Sequence, residues 1–492
     1  MSNERPAERP DARAPWSVIL PAVAFGVSLR ALLLVLSQPL DIQSDEGNYL
    51  YIALGLEHFG LYLDQHRYLW PPAFPWLLSQ AIGLFGQEGI EVVRWLQVAA
   101  SGVVGAMTML FAWRLFSVRA TVVCGVLWAL HLPLAAYTHL LWSEPLFLAL
   151  LLPALWQVLR ALDASEGTIE GSPQRRLLLA GLLLGCALWV KEWPLFLLPL
   201  LAGVVLVRSW RAGGRVALQR ATLLPLTALV VILPWTLRNA EVYGRFTLAG
   251  ATLGENVYIG LNGRYMNFDL RALRKPLTAR GLQPIESYSR RAFVQRARTD
   301  EGEPAPDWER QEEVFHPIDR QSEQLRLGLA YAAEHPGWTV RTRIKKLSDL
   351  VTPMSFFTRT YALERFPEES ALSGPLRAPL ALYSMVFSAA LMLLAAGGYF
   401  LTLPRGPGRD LVTLVLLYVL ATGTLVAMSR FRVPAEPFLL ALASGLLAHG
   451  PATRSVPRIA GLAVAAASLS LLWWISMPET AAVARLAMGG TP

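Results

Sequence analysis

Eleven stretches of the chain are long, mostly apolar and separated by polar turns: 16–38, 92–113, 120–142, 144–160, 177–191, 193–208, 221–238, 378–403, 411–428, 434–450 and 458–477. A bilayer core accepts about 20 such residues as a helix, because only a helix satisfies its own backbone polar groups in hydrocarbon. The pattern therefore predicts an all-α polytopic membrane protein with about eleven transmembrane helices. The run 71–86 is shorter and opens on Pro71-Pro72, which suits a helix start, so it reads as an interfacial helix. Composition agrees: 54% of the 492 residues are apolar and only 16% are charged, against about 25% in soluble domains. With a mean hydropathy of +0.39, the chain lacks the charged surface that soluble domains of this length need, and it is neither disordered nor a disulfide scaffold. Cys124 and Cys186 lie in apolar runs and read as core residues.

The net charge is +8, and the basic residues fall in short clusters between apolar runs. That distribution marks membrane orientation, not a nucleic-acid groove. With the N-terminus inside, the clusters at Arg5, Arg9 and Arg13, at Arg114 and Arg119, at Arg160, Arg175 and Arg176, at Arg208 to Arg220, at Arg405 and Arg409, and at Arg454 and Arg458 share the cytoplasmic side. The expected organisation is a cytoplasmic tail (1–15), a transmembrane catalytic core (16–238) containing an external loop (39–91), an external, mostly helical domain (239–377), further transmembrane helices (378–477) and an external tail (478–492). The long external segment holds a basic run from Arg264 to Arg298 and an acidic run from Asp300 to Glu313, both of which read as solvated surface. The first apolar run is too long for a signal peptide and lacks a cleavage site. There is no glycine loop for a nucleotide, no zinc-protease helix and no paired-cysteine metal site. His131 and His139, eight apart within the span 120–142, are expected on roughly one helix face in a structural role.

Charges at membrane depth are costly and so mark function. In this topology they gather on the outer face: Asp41, Asp45 and Glu46, then Glu144, then Lys191 and Glu192, then Arg238, and finally Arg430, Arg432 and Glu436. The uncharged stretches beside Lys191-Glu192 are 14 and 15 residues long. Each covers about 22 Å of a core about 30 Å thick, so this tip is expected to sink into a polar cavity or to form a self-neutralising pair at the interface. Asp45 and Glu46 open a short segment that Ser44 can cap and Gly60 can end. Leu50, Ala53, Leu54 and Phe59 offer it an apolar side, and Asp45, Asn48 and Tyr49 share another. A first-turn carboxylate is held ionised by the helix dipole, as a general base requires, although Asp and Glu are also ordinary helix-start residues. Arg30, within the first span, either snorkels outward or lines a cavity.

Taken in order, several segments carry a resemblance: SDEGNYLYIALGL (44–56), YLWPPAFPWLLSQAIGLFG (68–86), LLWSEPLFLALLL (140–152), LLLAGLLLGCALWVKEWPLFLLPLL (177–201), LPWTLRNAEVYGRF (233–246), ENVYIGLNG (255–263), EHPGWTVRTRIKKL (334–347) and SRFRVPAEPFLLALA (429–443). The chain resembles the lipid-dependent membrane glycosyltransferases of the GT-C superfamily, in particular the bacterial protein O-mannosyltransferase-like and aminoarabinose transferase-like group. The resemblance implies a catalytic acidic residue at Asp45 of the Asp45-Glu46 pair, a second acidic position at Glu144 before Pro145, and a functional lysine at Lys191. It also implies external juxtamembrane helices. The chain departs from the aminoarabinose enzyme at Leu69-Trp70, where that enzyme has a Glu-Lys pair, and at Asn48, where it has an arginine. Those residues handle that enzyme's donor and metal, so the same donor and a bound zinc both stay open here.

The implied reaction is transfer of a sugar from a polyprenyl-phosphate donor to a lipid, glycan or protein acceptor on the outer face of the bacterial inner membrane. Nucleotide sugars lie on the other side. Asp45 takes the acceptor's proton, with Glu46 and Glu144 as further catalytic candidates and Asn48 and Tyr49 as substrate contacts. Lys191, Arg238, Arg430 and Arg432 are candidates to hold the leaving phosphate, though interfacial anchoring is an equal reading of the arginines. No particular cofactor is implied, a divalent cation stays open, and the other expected partners are membrane lipids and not nucleic acid. The rival class is a transporter or lipid-linked sugar flippase, which would claim Arg30 but would place its site near the midplane between paired repeats.

Overall fold

The computed structural model describes residues 13–37, 42, 45–60, 62, 70–244, 246–250, 252–261, 317–355, 357–358, 376–426, 429–452 and 455–487. Within these, regular structure is helical and no strand occurs. The chain begins with α1 (Trp16–Leu36), α2 (Asp45–Phe59), α3 (Ala73–Phe85), α4 (Gly89–Leu115), α5 (Val118–Ala129) and the short α6 (Leu132–Ala136). It continues with α7 (Glu144–Ser165), α8 (Pro173–Val190), α9 (Pro194–Ser209), α10 (Gly214–Tyr243) and α11 (Leu253–Leu261). Next come α12 (Pro317–Glu334), α13 (Pro336–Leu350), α14 (Arg377–Gly397), α15 (Pro407–Val426), α16 (Glu436–His449) and α17 (Val456–Ala487). The charge runs Arg264–Arg298 and Asp300–Glu313, Ser44 and Leu69 lie outside the described residues.

Among the described residues nine helical runs are long and apolar enough to cross a membrane, so the chain is a multi-pass membrane protein. Of the eleven expected spans, those at α5 and α8 fall outside the nine. α5 has 12 residues, and α8 has 18 but opens on Arg175 and Arg176. Helices α4, α7 and α16 are the most buried of the nine, whereas α1 and α17 present mostly exposed apolar side chains such as Leu20, Phe25, Val464 and Trp474, as lipid-facing helices do. α8 packs between α7 and α10, and α1 lies against α4 and α5. Several predicted ends move outward: α7 continues to Ser165, α10 to Tyr243, and α17 past Met477 into the stretch expected as a tail. The expected interfacial helix is α3, which joins α4 through a single 3-10 turn at Gly86–Glu88. Gly86 takes a positive φ of 59° at that turn, a conformation that costs glycine nothing.

The span expected at 120–142 is not one helix. It stops at Ala129, and the His131 imidazole accepts the Leu134 N–H at 3.1 Å to start a new five-residue helix with Pro133 in its first turn. Pro133 cannot donate to a continuing ladder. Residues 137–143 then run irregularly and are all buried, the condition under which non-helical backbone survives at membrane depth. His131 and His139 consequently lie on different elements and share no helix face. His131 caps α6 and stands 3.3 Å from Glu436, whereas the His139 ring meets the Arg30 carbonyl at 3.1 Å.

Candidate active site

The irregular segment 137–143 is the floor on which the charged residues meet. α8 and α15 end near this segment, and α7, α9 and α16 start near it. Arg430, in the 3-10 turn Ser429–Ala435 before α16, reaches across to two carboxylates. Its Nη1 donates to Asp45 Oδ2 and its Nε to Glu144 Oε1, each at 2.5 Å. Lys191, at the C-terminal end of α8, donates to the same Glu144 oxygen at 2.9 Å. The Arg430 guanidinium also lies 3.7 Å over the Trp142 ring. Residues 385 positions apart in sequence, Asp45 and Arg430, are thus in direct contact. Two carboxylates and two cations form one continuous chain from Asp45 through Arg430 and Glu144 to Lys191.

Burial grades this chain. Glu144 is 4% exposed and sits in the first turn of α7, where the helix dipole favours a negative charge. The Asp45 side chain keeps 21% of its surface and Lys191 keeps 23%. The two ends of the chain therefore open to the outside while its centre is closed. That is the arrangement a base and a phosphate-binding cation need, with a fixed carboxylate between them.

The other candidate residues sit elsewhere. Glu46 is buried and accepts the Leu141 N–H at 2.7 Å, tying α2 to the floor segment. Tyr49 is 1% exposed, so it belongs to the packed side of α2, with its hydroxyl 3.2 Å from Ser143 and its ring against Trp70 and Phe74. Asn48 stays partly exposed beside them. Arg432 is buried in a second network, donating to Glu436 at 2.6 Å and to the carbonyls of Leu350 and Thr352 at 3.0 Å each. Arg238 lies about the rings of Tyr62 and Trp235, at 5.1 and 4.9 Å. Arg430 and Arg432, two apart, thus point into different networks. Burial pushes the Glu192 carboxyl up to about 7, against the pull of Lys191. Trp142 and Ser143 went unnoticed in the sequence, where an aromatic-hydroxyl pair before an acidic helix start carries no signal of its own.

Among the described residues no group of three or more His, Cys, Asp or Glu gathers to hold a metal ion. Asp45 and Glu144 are paired with Arg430 and Lys191.

Residues 70–237, which include Glu144 and Lys191, match the family model described as dolichyl-phosphate-mannose-protein mannosyltransferase. Among solved structures, the chain is similar to the archaeal oligosaccharyltransferase AglB from Archaeoglobus fulgidus in complex with an inhibitory peptide and a dolichol-phosphate, with 14% identity, a TM-score of 0.47, and 94% of this chain and 55% of that one covered. It is also similar to ArnT from Cupriavidus metallidurans bound to undecaprenyl phosphate, with 16% identity, a TM-score of 0.34, and 88% and 78% covered. The arabinosyltransferase EmbB from Mycobacterium smegmatis gives 13% identity, a TM-score of 0.32, and 99% and 44% covered. The chain spans little more than half the length of the archaeal enzyme. No curated protein sequence matches it.

Proposed function

We propose that the chain transfers a sugar from a polyprenyl-phosphate donor to an acceptor hydroxyl or amine on the outer face of a bacterial inner membrane. The observation that carries this reading is the Asp45–Arg430–Glu144–Lys191 chain of charges, open at both ends and drawn from four distant parts of the sequence. The relatives point the same way. One solved structure is described as bound to undecaprenyl phosphate and another as complexed with dolichol-phosphate, and the matched family is named for a dolichyl-phosphate-mannose donor.

In the proposed reaction the donor's phosphate displaces Glu144 and Asp45 as the partner of Arg430 and Lys191. The forked guanidinium suits a phosphate, and Lys191 adds a point charge. Asp45, released from Arg430, accepts the proton of the acceptor's O–H or N–H. The acceptor's lone pair forms the new bond to the anomeric carbon. The bond from that carbon to the phosphate oxygen breaks, and its electron pair leaves on the phosphate. The cations stabilise that developing charge. Direct displacement inverts the anomeric centre. Arg432, Glu436 and His131 hold the turn that carries Arg430, and Glu46 and Tyr49 hold the helix that carries Asp45.

The test is transfer by the purified full chain in nanodiscs, supplied with synthetic polyprenyl-phosphate hexoses and pentoses and an envelope extract as acceptor. Release of polyprenyl phosphate that depends on Asp45 supports the reading. Export of intact donor across the bilayer without bond cleavage would replace it with a flippase.

A further inference from the structure

Helix α13 carries four basic residues, Arg341, Arg343, Lys345 and Lys346, against one acidic residue, Asp349, and the four do not share one face. One side of the helix is held by the bundle. Arg343 donates through Nη1 to the Thr424 carbonyl and, at 3.2 Å, to the Leu425 carbonyl at the end of α15, and through Nη2 to the Gly260 carbonyl on α11. Lys346 and Leu350 are buried on the same side. A Cβ at Gly423 on α15 would come within 2.6 Å of the Leu350 side chain. The Ser348 hydroxyl donates to the Leu472 carbonyl of α17 at 2.6 Å, and the Trp473 indole donates to the Val351 carbonyl at 2.8 Å.

These contacts set the direction of α13. Arg343 and Leu350 are about 10 Å apart along the helix, yet they meet residues 423–425 of α15, which rise only about 3 Å. α13 therefore crosses the end of α15 instead of running beside it. Leu425 closes the apolar run of α15, and Leu472 lies about 8 Å before Met477 closes that of α17. A helix laid across two membrane-length helices at that level lies in the plane of the bilayer surface.

The side of α13 away from these contacts has two rows. Val340 and Ile344, four apart, are 59% and 45% exposed. Arg341 and Lys345, also four apart and about 100° further round the helix, are exposed too. Trp338 opens the basic row, three residues before Arg341, and its ring packs edge-on against Tyr331 of α12 at 5.2 Å. Ser348 continues the row of Val340 and Ile344 onto α17, where Leu471 and Trp474 are exposed apolar side chains of a lipid-facing helix. An apolar row continuous with a lipid-facing surface, an adjacent row of cations and an aromatic pair are the parts of a helix that lies in the membrane interface. From this geometry we infer that α13 docks on the bilayer surface, with Val340 and Ile344 in the acyl boundary and Arg341 and Lys345 holding the phosphate of an anionic phospholipid. Arginine supplies a forked grip on that phosphate and lysine a point charge. This docking requires only that α15 and α17 cross the bilayer; it is independent of the reaction proposed above.

The experiment uses the full chain with Cys124→Ala and Cys186→Ala, in nanodiscs of phosphatidylcholine mixed with phosphatidylglycerol. A nitroxide on Ile344→Cys should be relaxed by oxygen, which concentrates in lipid, and shielded from a water-soluble nickel chelate. A nitroxide on Arg211→Cys, at an exposed turn, should meet the chelate freely. A bimane on Ile344→Cys should be quenched at least about threefold more by acyl-brominated phosphatidylglycerol than by the matching phosphatidylcholine, and Arg341→Gln with Lys345→Gln should bring that ratio close to one. Val340→Cys carries the same labels if Ile344→Cys fails to fold. Nickel access at these positions equal to that at Arg211→Cys would overturn the docking and assign the face to water or to a protein partner. Equal quenching by the two lipids, or a ratio that the double substitution leaves unchanged, would overturn the anionic headgroup contact.

Discussion

Glu144→Gln is the most informative single change, because it should improve binding while it harms catalysis. The side chain keeps its shape and loses its charge. In the native site one oxygen of Glu144 accepts from both Arg430 and Lys191. Each charge-assisted bond is worth about 1.5–3 kcal/mol, and breaking a buried ion pair by removing one partner costs about 3–5 kcal/mol because a charge is left uncompensated. The variant should therefore lose about 3–5 kcal/mol of stability when no ligand is present. The cluster is then one unit more positive, and an anionic headgroup supplies the missing charge. Affinity for undecaprenyl phosphate should rise, on the order of tenfold for about 1.4 kcal/mol of recovered pairing. Turnover should nevertheless fall on the order of 100-fold, because Arg430 and Lys191 lose the buried carboxylate that fixes them where the leaving phosphate gains charge. The assay pairs thermal unfolding in detergent, with and without undecaprenyl phosphate, with single-turnover transfer. A variant that matches wild type in stability, or that binds the probe more weakly, would show that Glu144 does not restrain the two cations.

Asp45→Asn should lower turnover at least about 100-fold with protein level unchanged, read as product formed per enzyme; near-normal transfer would move the base elsewhere. Arg430→Lys should keep some donor affinity and Arg430→Ala little, because lysine keeps the charge and loses the fork, whereas Arg432→Ala should mainly lower stability, by about 3–5 kcal/mol, by orphaning Glu436. The raised Glu192 carboxyl predicts a pH effect: between the model-peptide value of about 4.5 and the folded value of about 7 the folded chain binds more protons than the unfolded chain, so stability should fall as pH rises through that window, and Glu192→Gln should flatten the fall. Cysteine placed at the exposed Leu329 should react with an impermeant reagent in intact cells, and cysteine at the exposed Arg211 only after the membrane is opened; the reverse pattern would invert the topology.

The class of this protein is written in its residue order. Apolar runs of span length leave no other solvent than lipid, and the arginine clusters at Arg114, Arg175 and Arg208 separate one face from the other without reference to packing. Asp45, Glu144, Lys191 and Arg430 were visible for the same reason, since charge beside hydrocarbon is too costly to be incidental. Their chemical partners were not visible. Residues 286 positions apart, Glu144 and Arg430, meet only because α7 starts and α15 ends at one face of the bundle. Arg430 and Arg432 read alike in sequence, yet the 3-10 turn at Ser429–Ala435 sends one to Asp45 and the other to Glu436. The break after Ala129 was equally hidden. His131 and Pro133 sit in an apolar run whose hydropathy predicts a through-going helix, and only the burial of residues 137–143 by neighbouring helices makes an irregular floor affordable there. Hydropathy depends on each residue's own transfer free energy and can be summed along the chain. Ion pairing and cavity shape depend on which side chains the bundle brings within a few ångströms, and that is decided in three dimensions.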